Sequence, residues 1–559
     1  MFASIAPLVR LPGSVDVFDY YIPDELAPDV VPGSLVTIPF RARHISGVVL
    51  GVSETHAGTF RARPISSLAS PHPLLSKGQL ALIARFSEYY YVPRGLVARM
   101  IVPDKPKRRS KNVRPPHPLP LFLIEKQSAA DIEQYRQSAT QLPDEIRIHD
   151  LSSVIWFLRE YCAATSTGVT ILAPTIAYCT LFAETLSQQC PERVVAYHSE
   201  LNKNQQWNVY GRALTQHDRI LVSTRQGALL PIPERSSVLV FDSTNEDFKQ
   251  TEQHPRYDGR TIAQWHAEIT DSSCTMLAHA ERILVSAPDI DELPGASAMR
   301  TKTSLSDMKK ESGASAGLLL TYTTYEQIKK AKDNNQRIVV ASLRHSSDKG
   351  ISVQSIYEEL TKTLKNCTIG TLNLKTDDVP HTDIIVCTTE ALESEKLLSE
   401  RGNIGLLVIA SIEPLLALPD FRSAERAYYK LSHLKLLAQE LRIPHCIVQS
   451  YGDENQAIRA VVYGERDALR TSEHDARSKL QYPPFVDLIK ISHKKKSAAE
   501  VKTLAARIPS SDAYRIQGPY TDYEQYPSLL IKMLIPVEIP IIRTLGSDWI
   551  VDREPENIL

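Results

Sequence analysis

Short apolar runs broken by turn signals open the chain. Within residues 4–56, VDVFDYYIP, GSLVTIPF and ISGVVLGVS are separated by Pro-Gly and Gly-Ser pairs, a pattern that predicts a small β-barrel or sheet. A helix follows: between Ser76 and Tyr91, Leu80, Ile83, Ala84 and Tyr91 recur at helical spacing behind a serine placed to cap it, and Val92-Pro93 ends it. The stretch DKPKRRSKNVRPPHPLP, residues 104–120, has cations and five prolines but no hydrophobic period, and reads as an extended linker.

From 150 to about 290, five strand-like runs (GVTILAP, RVVAYHS, RILVSTR, SVLVFDS, CTMLAHA) alternate with helical stretches such as AYCTLFAETLSQQC, as in a parallel α/β sheet. A second set lies between 336 and 451: QRIVVASL, CTIGTLNL, DIIVCTT, IGLLVIAS and PHCIVQSY, joined to the first by a polar segment near 300–316. After Tyr482-Pro483-Pro484-Phe485 come the strands VDLIKISHK, SLLIKMLIPV and WIVD and one helix, SAAEVKTLAARI, which predict a small α+β domain. At 559 residues several domains are expected.

Composition changes this picture little: 43% apolar and 23% charged residues are ordinary for a soluble globular protein. Charge adds more, because its near-zero sum hides an uneven spread. Residues 1–114 hold fifteen Lys or Arg against eight Asp or Glu, a surplus of seven. Cysteines 162, 179, 190, 274, 367, 387 and 446 form no CxxC pair, so spacing predicts neither a zinc site nor a disulfide framework. No run of eighteen apolar residues occurs and the amino end has no apolar signal core, so a cytoplasmic protein without membrane association is expected.

VFDYYIP, VPGSLVTIPF and GVVLGVSE, followed by STRQGALLPIP, FKQTEQHPRYDGR, PDFRSAER and YPPF, resemble the primosomal protein N′ (PriA) family in type and order. The resemblance implies a multidomain α/β protein. Its parts are a 3′-end DNA-binding barrel (1–103), a basic Pro-rich linker (104–144), two RecA-like parallel α/β domains (145–300 and 301–470) and a C-terminal domain (471–559). It implies a replication-restart role, forked DNA with 3′ ends and single-stranded regions as partner, and a single-stranded DNA-binding protein and the replicative helicase or its loader as protein partners. The family's 3′-end pocket falls on Phe18 and Asp19, with a Lys replaced by Arg63 and a Gly replaced by Arg41. An aromatic face stacks a base for about 1–3 kcal/mol and a carboxylate accepts a hydrogen bond from a sugar hydroxyl, so a Phe-Asp pair suits a nucleotide end. Blocks that line the family's DNA path place Arg225, Lys249, Arg256 and Tyr257 there.

The resemblance also implies ATP with magnesium and a zinc module, and here the residues depart from it. A P-loop needs glycines whose N–H groups cradle phosphate and a Lys that reaches it. No Gly-Lys pair exists, and the equivalent stretch near 145–152 reads EIRIHDLS. The family's DEEH segment aligns with Phe241, Asp242, Ser243 and Thr244, which makes Asp242 a strand-end residue. Its AGRAGR segment aligns near Lys435 to Glu440, with Leu437 and Glu440 where arginines belong. The expectation is a DNA-binding protein with no catalytic residues, no ATP and no metal. The alternatives are an active 3′-to-5′ helicase with diverged motifs and a protein-binding scaffold.

Overall fold

The computed structural model describes residues 1–9, 11, 16–55, 62–104, 142–284, 290–292, 301–311, 318–344, 350–373, 379–393, 397, 400–452 and 454–558. Most of the linker expected at 104–144 lies outside them.

The amino-terminal unit is a five-stranded antiparallel sheet in the order β2-β1-β4-β3-β5. Its strands are β1 (Phe2–Pro7), β2 (Phe18–Tyr21), β3 (Leu35–Phe40), β4 (Arg43–Ser53) and β5 (Ser67–Leu68). Sequence pattern located β2, β3 and β4 but not β1, whose FASIAP lacks a β-branched run. Ile5, Tyr20, Val36, Ile38 and Val49 build the core under the sheet. A bridge between Tyr21 and Pro64 ties the segment before β5 back to β2, the opposite edge.

The helix Lys77–Tyr90 begins as expected. Ser76 accepts from the Gln79 backbone N–H, and Gln79 reaches back to Ser76 in a capping box. A second helix, Arg94–Ile101, follows, burying Val97, Ala98 and Ile101; at eight residues it is too short for the periodicity to announce it. Gly95 lies so close to the Pro7 carbonyl that any β-carbon there would collide. Both helices share one core with the next domain: Phe86 and Tyr90 pack with Tyr257 and Trp265.

Two parallel α/β sheets form the body. The first has the order β12-β6-β11-β10-β7-β9-β8, from β6 (Glu145–Arg147), β7 (Val169–Leu172), β8 (Val194–Tyr197), β9 (Ile220–Ser223), β10 (Ser237–Phe241), β11 (Ser273–Ala278) and β12 (Ile290–Glu292). The second has the order β13-β18-β17-β14-β16-β15, from β13 (Lys302–Asp307), β14 (Arg337–Ser342), β15 (Ile369–Leu372), β16 (Ile384–Thr388), β17 (Ile404–Ile409) and β18 (His445–Ser450). Nearly every residue of β10 and β17 is apolar and all are buried, as expected of strands covered on both faces. The polar segment near 300–316 is more than a joiner: KTSLSD within it is β13, an edge strand paired in parallel with β18.

The carboxyl-terminal sheet is antiparallel, β20-β21-β19-β22, from β19 (Asp487–His493), β20 (Tyr514–Thr521), β21 (Pro527–Met533) and β22 (Trp549–Arg553), with the helix Ala498–Arg507 against it. The helix Arg466–Leu480 runs through position 470, where a domain boundary was expected. No helix among the described residues is long and apolar enough to cross a membrane.

Candidate functional site

The predicted site residues fall into two groups with different surroundings. In the amino-terminal sheet, Phe18 lies opposite Ile5 and meets Phe40 edge-on with ring centroids 5.5 Å apart. Phe40 ends β3, and a two-residue turn through Arg41 and Ala42 leads into β4. Arg41 sits in the left-handed region at φ 52°, where a glycine carries no penalty and a side chain does. The glycine that the family resemblance assigns to this position therefore fits a backbone requirement, which Arg41 meets under strain. Its guanidinium lies 5.9 Å from the Phe40 ring, and Arg63 donates to the Arg41 carbonyl at 3.4 Å. Both arginines are exposed. Phe18, Arg41 and Arg63 thus gather at one rim. Strand alternation turns Asp19 to the other face, where it accepts from Ser4 Oγ at 2.8 Å. Burial raises the neighbouring Tyr20 hydroxyl, against the opposing pull of Arg63.

Arg225, Lys249, Arg256 and Tyr257 also come together, with Lys249 and Arg256 in an interface between the first α/β domain and the carboxyl-terminal sheet and Tyr257 packed on Phe86. Lys249 is buried; its Nζ lies 2.9 Å from Asp552 and donates to the Arg553 carbonyl at 2.6 Å. Arg256 bridges Asp552 and Glu524, each at 3.4 Å. Tyr257 is buried, and Arg225 donates to the Asp247 carbonyl at 2.8 Å and to Gln250 at 2.5 Å. A buried, paired ammonium is held by its carboxylate and has no exposed face for a phosphate. The blocks PDFRSAER and YPPF meet in the same way: Phe421 stacks on Tyr482 at 4.7 Å, and Glu425 pairs with Arg422 at 2.9 Å and Arg477 at 3.2 Å. Burial alone would raise the Glu425 carboxyl; these two guanidiniums bring it down to about 2.

The cleft between the two α/β domains is where a nucleotide triphosphate would be sought. β6 leads through Ile148, His149 and Asp150 into the helix Leu151–Ala164, whose first N–H groups would face a phosphate. Two of those donors are engaged by carboxylates. Asp150 accepts from the Ser153 N–H at 2.7 Å, and Glu440, from the second domain, accepts from the Leu151 N–H. Both acids are buried. Negative charge suits a helix amino terminus, and here the protein supplies it from its own side chains. A triphosphate brought to this point would find two of its donors engaged and two carboxylates beside it, so the residues present do not fit that group.

Glu440 ends the helix Ser423–Glu440, which carries a stripe of interdomain contacts. Arg426 pairs with Glu246 at 2.9 Å, Tyr429 OH accepts from the Ile283 N–H at 3.3 Å, and His433 Nδ1 stands 3.7 Å from Asp242. Asp242, at the end of β10, adopts φ 52° and also lies 2.6 Å from His279 Nδ1. Burial would raise its carboxyl, but the two imidazoles, with Asn245 donating at 2.9 Å, hold it well below the usual carboxylate range. Sequence alone makes Asp242 a strand end and does not point to Asp150, Glu440, His279 or His433 as site residues, since these meet only in the folded protein, within the first domain or across the cleft. The cysteines are all free, four of them buried, and among the described residues they form no metal-binding cluster.

Comparison with known proteins places this geometry in a family context. Residues 8–103 match the family described as the 3′DNA-binding domain (3′BD) of PriA. The replication restart protein PriA of Synechocystis is 28% identical over 102 residues, 18% of this chain and 12% of that one. PriA of Bacillus subtilis is 20% identical over 417 residues, 59% of this chain and 50% of that one, and PriA of Rickettsia felis 22% over 240, 42% and 36%. The chain spans about half or less of the length of these curated relatives. Among solved structures, RecG bound to a three-way DNA junction aligns at TM-score 0.38 with 10% identity over 64% of this chain and 50% of that one. The Hef helicase domain of Pyrococcus furiosus aligns at 0.33 with 12% identity over 58% and 96%.

Proposed function

We propose, from the premise that this chain belongs to the PriA family, that it binds forked DNA at a free 3′ end during replication restart and does so without hydrolysing ATP. Its amino-terminal unit acts as the 3′-end-binding barrel, and the two α/β domains are RecA-like bodies that hold fork arms rather than drive along them. Phe18 stacks on the terminal base, Asp19 accepts from the terminal sugar hydroxyl, and Arg41 and Arg63 face the last phosphates. For Asp19 the strand end must wrap the sheet edge formed by β2, because Phe18 and Asp19 lie on opposite faces. A single-stranded DNA-binding protein and the replicative helicase or its loader are the protein partners of this reading.

The observation that carries the non-catalytic part is the pair of buried carboxylates, Asp150 and Glu440, at the helix start where phosphate would bind. Catalysis of phosphoryl transfer rests on positioned cations and N–H donors, and a single arginine can be worth about 10³–10⁵ in rate. Carboxylates in those places oppose the same charge. Phosphate release from ATP with magnesium and forked DNA tests this: no turnover above the protein-free rate is expected. DNA-stimulated turnover would overturn it.

A further inference from the structure

We infer that Asp242, His279 and His433 form a binding site for one divalent transition-metal ion, Zn²⁺ in type, whose ligands come from both α/β domains. The three are the one convergent group of His, Cys, Asp and Glu side chains among the described residues, with ligand atoms all within 4.8 Å of one another. The Asp242 and His279 side chains are 2% and 3% exposed and that of His433 is 8% exposed, so the site is screened from bulk water.

The geometry is that of ligands around a shared point. Zn²⁺ binds imidazole nitrogen and carboxylate oxygen at about 2.0–2.2 Å, which puts tetrahedral ligand atoms roughly 3.3 Å apart. His279 Nδ1 lies 2.6 Å from Asp242 Oδ1 and His433 Nδ1 lies 3.7 Å from Asp242 Oδ2, distances on either side of that value to the two oxygens of one carboxylate. Asp242 Oδ1 and His279 Nδ1 are close yet do not meet at a hydrogen-bonding angle, and His279 Nε2 has no hydrogen-bond partner either. A buried imidazole and carboxylate left this way cost free energy unless something else takes their lone pairs, which a cation between them does. Two imidazoles and one carboxylate suit Zn²⁺, Co²⁺ or Ni²⁺ rather than Mg²⁺ or Ca²⁺, which favour all-oxygen sites.

The placement gives the ion a role. Asp242 directly follows β10 and His279 directly follows β11 in the first domain; His433 comes from the helix Ser423–Glu440 of the second. A metal there clamps the two domains through the helix that also carries Glu440.

The test uses the full chain after chelator dialysis, with ZnCl₂ and CoCl₂ as probes. One equivalent of Co²⁺ is expected to give visible absorption bands displaced by Zn²⁺, and Zn²⁺ to raise the thermal midpoint. His433→Gln and His279→Gln are expected to weaken binding on the order of 100-fold or more, since even residues behind the ligands are worth about 10–100-fold. His474→Gln, at an exposed histidine, is expected to change nothing. Far-ultraviolet circular dichroism shows whether each variant is folded, and His279→Gln and His433→Gln, changed on separate domains, give independent chances of a folded variant. Absence of bands and of stabilisation in the unaltered chain, or binding unchanged in both cleft variants, would overturn the assignment.

Discussion

The rim of the amino-terminal sheet and the cleft between the α/β domains handle charge in opposite ways. At the rim, Arg41 and Arg63 are exposed beside Phe18 and Phe40. In the cleft, the helix start that could receive a phosphate is engaged by Asp150 and Glu440, and Asp242 is enclosed by His279 and His433. An anion is attracted to the first region, whereas at the helix start of the second it meets the carboxylates of Asp150 and Glu440. Burial makes the difference: an exposed guanidinium stays available to a ligand, whereas buried groups must find partners within the fold.

The largest expected effect lies at the interface that supports both regions. Lys249→Ala removes one partner of a buried pair and leaves Asp552 to Arg256 alone, which costs about 3 kcal/mol in urea unfolding, the low end for breaking a buried pair. The affinity of the remaining folded molecules for a 3′-ended fork is expected to be unchanged. A large loss of affinity with stability intact would instead put Lys249 on the DNA path and break the contrast drawn here.

The next effect is one of pH. Burial lowers the His266 imidazole to about 4 while its Nδ1 lies 2.9 Å from the Ala228 carbonyl. The unfolded chain takes up this proton near pH 6.5 and the folded chain only near 4, so the stabilising contribution is full above 6.5. It is lost as pH falls from there to 4, on the order of 3 kcal/mol in all. His266→Gln is expected to flatten that part of the stability curve relative to the unaltered chain, measured by urea unfolding at pH 7 and pH 4.5.

At the rim the effects are on binding. Phe18→Ala is expected to weaken binding to a 3′-ended single strand by about 1–3 kcal/mol, roughly 5- to 150-fold by titration. Arg41→Gly should act twice and in opposite senses. It relieves the left-handed strain and stabilises the hairpin by up to about 1 kcal/mol, and it takes about 0.7 from the log–log salt slope for single-stranded DNA. A variant that leaves that slope unchanged would remove Arg41 from the binding surface.

Much of the fold is legible in the chain, and the reasons are local. The five-strand runs of each α/β domain are continuous and apolar because both faces are covered, and Ser76 with Gln79 marks a helix start by a box that needs no tertiary information. Strands β6 and β13 escape because EIR and KTSLSD are short or polar and are held by their neighbours, β11 and β18. The candidate sites divide in the same way. Phe18 and Asp19 are adjacent in sequence, so a motif could carry them. Asp150 meets Glu440, and Asp242 with His279 meets His433, across two domains, and neither composition nor spacing shows that they meet. The resemblance blocks FKQTEQHPRYDGR, PDFRSAER and YPPF prove to be largely interface, as Lys249 with Asp552 and Phe421 with Tyr482 illustrate.

The contrast is tested most directly by titrating the protein with forked DNA whose leading-strand 3′ end is either free or blocked by a 3′-phosphate, with and without ATP and magnesium, for the unaltered chain and Asp19→Ala. The account predicts tighter binding to the free end, loss of that preference in Asp19→Ala, and no effect of ATP on either. Equal affinity for both ends in the unaltered chain, or a preference that appears only with ATP, would contradict it.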